Sequence, residues 1–413
     1  MADPTVTVLH ARGAVDVDAG EVVEDAYVCV EGDRITSVGT DAGIAKDADE
    51  LVELPEVILI PGLMDMEVDL VLGGPGAGLT DPVITDPVKM TLRATVNARR
   101  TLRAGFTTVR NLGLFVKTGG YLLDVALSEA SDAGWIDAPR IVPAGHAICP
   151  TGGHLDPSAQ SGLAPGMMPL TVEEGIADGV DEVRRAVRYQ IKHGAELIKC
   201  CASGGVISAT GPAGAQQYSA EELAAIADEA HRRGLRVATH CHGDTAVNAA
   251  IDAGIDCIEH GFMITDDTIQ RLVDTGTFLV STTALTENWD VSRHPPELQA
   301  KAAEVFPKAK ESLSKAIEAG VKIANGSDAP AVWHGRNAEE LVVLVQRGMT
   351  PLQAIRAATT ISAELIEAPD LGRLAPDMKA DVIGVEGDPL DDITATQRVA
   401  FVMKGGRVHK RPS

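Results

Sequence analysis

The chain has 413 residues, of which 45% are hydrophobic and only 3% aromatic, and its formal net charge is −23. That length suits one large α/β domain with a satellite rather than a single small core. The negative charge argues against nucleic acid or an anionic membrane surface as partners, and the scarcity of rings argues against stacking platforms for bases or sugars.

Cys29, Cys149, Cys200, Cys201, Cys241 and Cys257 form no C-x-x-C pair, so reduced thiols are expected. Met1-Ala2-Asp3-Pro4 has neither a basic nor an apolar leader region, and no apolar run reaches the roughly 18 residues of a membrane helix. A cytoplasmic protein without a signal peptide is the expectation.

Residues 5 to 60 read as a small β-module: alternating runs over 5–10, 26–30 and 34–38 are separated by Gly and Asp clusters of the hairpin kind. A hydrophobic strand over 57–60 then runs into Pro61-Gly62 and delivers Glu67 and Asp69. Two residues apart on an extended segment, these acids face the same side. They are either a cation site or a pair of solvated loop acids.

From Pro61 the grammar changes. Strands over 107–110, 140–144, 197–202, 236–240, 256–260, 278–281 and 321–325 each follow a helical stretch. Several are introduced by a helix-ending Ala-Gly or His-Gly, as at Ala104-Gly105, His193-Gly194, Ala253-Gly254 and Ala319-Gly320. With 57–60 this makes eight strands alternating with helices, the pattern of an α/β (β/α)8 TIM barrel. A doubly wound sheet is the alternative, weakened by the lack of a Gly-rich phosphate loop after the first strand. Helices over 338–347 and 351–366 close the barrel, and β-grammar returns over 380–385, 399–403 and 406–408. The expected division is a β-sandwich from 1–60 plus 368–413 and a barrel over 61–367.

Functional groups of such barrels sit at the C-terminal ends of the strands. That filter selects Glu67, Asp69, Lys199, His240, His242, His260 and Asp328. A single strand-end histidine is commonly a hydrogen-bonded structural residue. His240 and His260 on adjacent strands, with Asp328 across the barrel, read as metal ligands. Lys199 either forms a salt bridge with one of the acids or joins the site as a carbamate, since an ammonium cannot ligate a cation.

The motifs PGLMDMEVDL (61–70), RAGFTTVRNLG (103–113), TGGH (151–154), LIKCCASGG (197–205), IDCIEHG (255–261), NGSDAP (325–330), HGRNAEEL (334–341) and LAPDMKADVIGVEGDPLDDI (374–393), with the run 218–243, carry a resemblance over nearly the whole chain. The chain resembles the amidohydrolase superfamily, in its imidazolonepropionase-like and dipeptidase/prolidase-like branch. The resemblance implies a metal-bearing barrel with a β-sandwich built from both termini. It implies a carboxylated, bridging Lys199, His240 and His260 on the more exposed ion, and Asp328 as both ligand and proton shuttle. His154 and Tyr218 match positions that commonly face substrate; His242 either joins them or stands behind the ligands. For these three, loop packing or ordinary hydrogen bonding is the other reading. His146, His231 and His294 read as structural.

One departure stands out: the family's His-x-His is Glu67-Val68-Asp69 here. The change raises the anionic charge facing two divalent ions from about two to about four, which weakens the pull on a bound water's proton. Three outcomes follow. Mn or Fe replaces Zn at the Glu67/Asp69 site, since oxygen donors favour harder ions. That site stays empty and one ion, Zn on donor type, sits at His240, His260 and Lys199. Or hydrolysis is lost.

The expected function is metal-dependent hydrolysis of a C–N bond in an amide, cyclic amide, urea, carbamate or dipeptide-like small molecule, by metal-activated water with Asp328 shuttling the proton. The alternatives are a non-hydrolytic binding protein with a degenerate metal site, and a decarboxylase drawing on Glu67. A small-molecule substrate and a homo-oligomer are expected. The loops 71–87, 146–170, 203–217 and 284–297, rich in Gly, Pro and apolar residues, would choose the substrate.

Overall fold

The computed structural model describes residues 5–74, 77, 80–160, 163–164 and 166–412. The opening tetrapeptide and parts of the substrate-selecting loops 71–87 and 146–170 lie outside the described residues. In chain order the strands are β1 (Val6–Asp16), β2 (Glu21–Glu31), β3 (Arg34–Gly39), β4 (Glu50–Pro61), β5 (Leu63–Val68), β6 (Phe106–Asn111), β7 (Arg140–Pro143), β8 (Ile198–Cys201), β9 (Val237–Gly243), β10 (Cys257–Met263), β11 (Phe278–Val280), β12 (Ile323–Ala324), β13 (Val382–Glu386), β14 (Val399–Lys404) and β15 (Arg407–Lys410).

Both chain ends build one connected seven-stranded sheet, ordered β15-β14-β13-β4-β1-β2-β3. Asp16 starts the β1–β2 turn by accepting the amides of Asp18 and Ala19, each at 2.9 Å, and Gly20 completes it at φ 79°. β4 joins the two ends: it runs parallel to β1 (Leu9 opposite Val52) and antiparallel to β13 (Ile60 opposite Ile383). At its end Gly62 donates to the Asp381 carbonyl at 2.8 Å. A methyl on Gly62 would lie 2.1 Å from Thr107 Oγ1, so only glycine lets the chain pass into β5.

The rest is α/β with parallel sheets: β5-β6-β7, and β12-β11-β10-β9-β8. Hydrogen bonds join them at both edges. Met66 N–H reaches the Asn325 carbonyl (2.8 Å), Asp69 N–H the Ala329 carbonyl (2.7 Å) and Asp328 N–H the Glu67 carbonyl (2.8 Å). At the far edge Ile148 N–H bonds the Lys199 carbonyl (2.8 Å) and Cys201 N–H the Ile148 carbonyl (3.0 Å). The flanking helices are amphipathic. Pro87–Arg103 buries Met90, Ala94, Asn97, Ala98, Thr101 and Leu102 at helical spacing. Within it, Asn97 Nδ2 bonds the Leu70 carbonyl at 2.9 Å and fixes the chain just beyond the acidic pair.

Three expected elements differ. The strand over 57–60, expected as the first of the eight alternating with helices, is the end of β4 in the seven-stranded sheet, where it pairs with β1 and β13, and β5 is the strand that pairs with β6. The helical stretch expected before the strand at 197–202 is a 3-10 turn, Val172–Glu174, then a helix, Gly179–Lys192; Gly175, at φ 84°, ends the first piece in the left-handed region. The one expected over 351–366 breaks into Pro351–Ala357 and Thr360–Leu365 at the non-helical Thr359. All six cysteines are unpaired thiols. No helix among the described residues is long and apolar enough to cross a membrane.

Candidate active site

Every residue of β5 is buried, and its acids are held in different ways. Asp65 accepts Ser327 Oγ at 2.5 Å, the Ser327 amide at 2.9 Å and Asn337 Nδ2 at 2.7 Å. This ties β5 to the loop that carries Asp328. Burial lifts the Asp65 carboxyl to about 6 against these hydrogen bonds.

Glu67 has different partners. Its Oε1 lies 3.2 Å from Lys199 Nζ and 3.7 Å from His260 Nε2. Of the two readings of Lys199, the structure shows the salt bridge, on a side chain 1% exposed. Burial works to lower the ammonium's pKa, but the Glu67 and Glu259 carboxylates outweigh it and the net direction is up. Glu259 is itself locked to Arg110 at 2.7 Å, both buried.

His240 and His242 share one face of β9, two residues apart, and His260 stands midway along β10. The His240 ring centre is 4.6 Å from that of His242 and 4.7 Å from that of His260, and His154 stacks on His240 at 3.6 Å. His154 pairs with Ser208 Oγ at 2.8 Å, and His260 Nδ1 with Thr282 Oγ1 at 2.7 Å. Burial, reinforced by neighbouring rings and Lys199, holds all four imidazoles well below the usual histidine value. That direction favours the neutral ring, the form that ligates metals. His260, Thr282 and Asp328 adopt φ of 73°, 48° and 53°, and such left-handed non-glycine backbone gathers at functional sites. Burial, then repulsion from Glu67, raises the Asp328 carboxyl well above its ordinary value.

Glu67, Asp69, His154, Lys199, His240, His242, His260 and Asp328 all line one cavity of about 230 Å³. Tyr218 is not among its described lining: the ring is 1% exposed and its hydroxyl donates to the Ala177 carbonyl at 2.9 Å. The expected substrate contact is thus replaced by a structural bond. His294, read as structural, does line the cavity. His146 bonds Thr118 (3.0 Å) and His231 pairs with Asp256 (2.9 Å), both away from it. Asp69 Oδ1 accepts the Val71 amide at 2.8 Å, and burial together with nearby Asp124 raises its carboxyl to about 7.

Four buried atoms around the cavity have no hydrogen-bond partner: Glu67 Oε2, Asp69 Oδ2, His240 Nε2 and His242 Nδ1. Each such group costs about 1–3 kcal/mol if left so, and all four are lone-pair donors or titratable ring nitrogens of the kind a divalent ion satisfies. Among the described residues, no group of three or more His, Cys, Asp or Glu is already arranged to hold an ion. The donor set suits a metal in kind, and the Lys199–Glu67 bridge stands between its two halves.

Glycines keep the site open. A methyl on Gly205 would lie 2.5 Å from His154 Cε1 and 2.7 Å from His240 Nε2, the very atom without a partner. Gly205→Ala is therefore expected to lower metal affinity by at least about tenfold, as displacing a ligand's supporting contacts does. Wild-type affinity in a metal titration would show that His240 is no ligand.

A model of the amidohydrolase family matches residues 58–409. The ochratoxinase of Aspergillus niger is 34% identical over 438 residues, covering 98% of this chain and 87% of the relative. The fold superposes on an Xaa-Pro dipeptidase with methionine bound in its active site (TM-score 0.90, 32% identity, 98% of this chain, 100% of that one). It also superposes on a prolidase complexed with N-methylphosphonate-L-proline (TM-score 0.88, 32% identity, 98% of this chain, 100% of that one).

Proposed function

The chain belongs to the amidohydrolase family, and from that premise we propose that it is a metal-dependent hydrolase of C–N bonds in small molecules. The reading takes a (β/α)8 barrel over 61–367 and a sandwich from 1–60 with 368–413. Relatives named for ochratoxin and for Xaa-Pro dipeptides support the reaction class. The observation that carries it is the unpartnered His240 Nε2 beside His260 and Asp328 in one cavity.

His240, His260 and Asp328 would hold one ion, zinc on the softness of its nitrogen donors. Glu67 and Asp69 form an oxygen-rich half suited to Mn or Fe, and Lys199 joins the ligands only as a carbamate, released from Glu67. When bound, the metal supplies Lewis acidity to the carbonyl and acidity to a water. Asp328, with its raised carboxyl, takes the water's proton and delivers it to the leaving nitrogen. The stacked His154 and the His242 ring wall off bulk water and face the substrate.

Product analysis tests this: metal-loaded protein should release amine from neutral amides or carbamates. Release of CO2 from aromatic acids without amine release would move the assignment to a decarboxylase. The Lys199–Glu67 bridge favours a second reading, a barrel that binds without hydrolysing. That reading predicts no bound ion.

A further inference from the structure

Resting on the hydrolase reading, we propose that the substrate is an uncharged amide or carbamate carrying one aromatic or similarly bulky apolar group close to the scissile carbonyl, and that Trp289 and Phe306 select it. One wall of the cavity is formed by Val206, Ile207, Phe262, Leu285, Trp289 and Phe306, from β10, from the segments after β8 and β11 and from the helix Pro296–Ala319. In a chain that is only 3% aromatic, three of its rings meet here.

The wall begins at the histidines. The Phe262 ring centre lies 4.8 Å from that of His242 and 5.5 Å from that of His260. A group resting on it is within a few bonds of a carbonyl held at His240 and His260. Trp289 and Phe306, 6.2 Å apart and inclined at 45°, continue the wall. Phe262 is buried in the cluster, but Trp289 and Phe306 are only half-buried, so they keep apolar surface free for a ligand. At about 230 Å³ the cavity is at the small end for ligand sites, room for a single ring rather than a long chain.

The rest of the lining includes acids. Asp81 is bound to Arg93 at 2.8 Å and Glu67 to Lys199 at 3.2 Å, so both cations are engaged. Asp69 faces the same space with a buried, unpartnered Oδ2. With the one ion of this account held at His240, His260 and Asp328, Asp69 has none of its own, and a carboxylate on the substrate would set its oxygens against that unpartnered acceptor in a low-dielectric setting, whereas an uncharged apolar group would not.

The test is a calorimetric titration of metal-loaded protein with phenylacetamide, acetamide and the carboxylate-bearing succinamate. Phenylacetamide is expected to bind at least about tenfold more tightly than acetamide, from the buried ring area, and succinamate no more tightly than acetamide. In Trp289→Ala and Phe306→Ala the phenyl preference should fall at least about threefold with metal content unchanged, and Trp289→Phe should restore most of it. Equal binding of phenylacetamide and acetamide, tighter binding of succinamate, or an undiminished preference in both alanine variants would overturn the proposal. Ammonia release is read in the same samples. Release without a phenyl preference leaves the hydrolase and sinks this inference; a phenyl preference without release does the reverse.

Discussion

Replacing His240 by alanine is expected to remove the bound metal and with it the activity. The imidazole is 4% exposed, burial holds its pKa well below the usual histidine value, and its Nε2 has no hydrogen-bond partner among the described residues. Folding alone gives no reason to bury that nitrogen, and its loss should cost little stability beyond the stacking on His154 and the cavity left behind. Losing a ligand should exceed the ten- to hundredfold affinity cost of losing a mere supporting partner, so a drop of more than about a hundredfold is expected. The far-ultraviolet circular dichroism should stay native. A variant that keeps its ion, or one that loses its fold, would show that His240 serves packing.

Asp328→Asn separates chemistry from binding. Asparagine has nearly the same shape and tolerates the left-handed φ of 53° that this position holds. The backbone bond from its amide to the Glu67 carbonyl, 2.8 Å, is untouched. The amide oxygen can still ligate the ion, though more weakly than a carboxylate, so the variant is assayed saturated with metal; what is lost outright is the ability to take and give a proton. Proton transfer by a positioned side chain is worth about 10²–10⁴-fold, so kcat should fall about a thousandfold while metal content and fold persist. Removing a carboxylate that Glu67 repels should leave thermal stability equal or higher. Turnover within tenfold of wild type would end the role assigned to Asp328.

Much of the molecule was legible in the residues because local rules decide it. Helix-ending glycines before apolar strands gave the parallel sheets, and the strand-end filter found His240, His260 and Asp328, which one cavity gathers. What escaped depends on contacts distant in sequence. Asp65 is an ordinary acid in the pattern; only the fold brings Ser327 and Asn337 to it. Gly205 is one glycine of many until two imidazoles close on it. Trp289 and His294 lie in an irregular loop, where no periodicity marks which ring turns inward, and only the fold shows that Phe306, inside the helix Pro296–Ala319, meets the same cavity. Tyr218 matched a substrate-facing position, yet its hydroxyl found a main-chain partner across the sheet end. Glu67 and Lys199 could be read two ways from residue type alone, and their 3.2 Å bridge depends on β5 and β8 facing each other.

That bridge makes metal content the decisive measurement. Protein grown and purified with Zn, Mn, Fe and Co in turn, with bicarbonate present, would be submitted to elemental analysis. The account predicts about one tightly held ion per chain, best filled by zinc and absent from His240→Ala. No ion under any of these conditions would contradict it and leave a protein whose acidic strand and lysine engage each other instead of a metal.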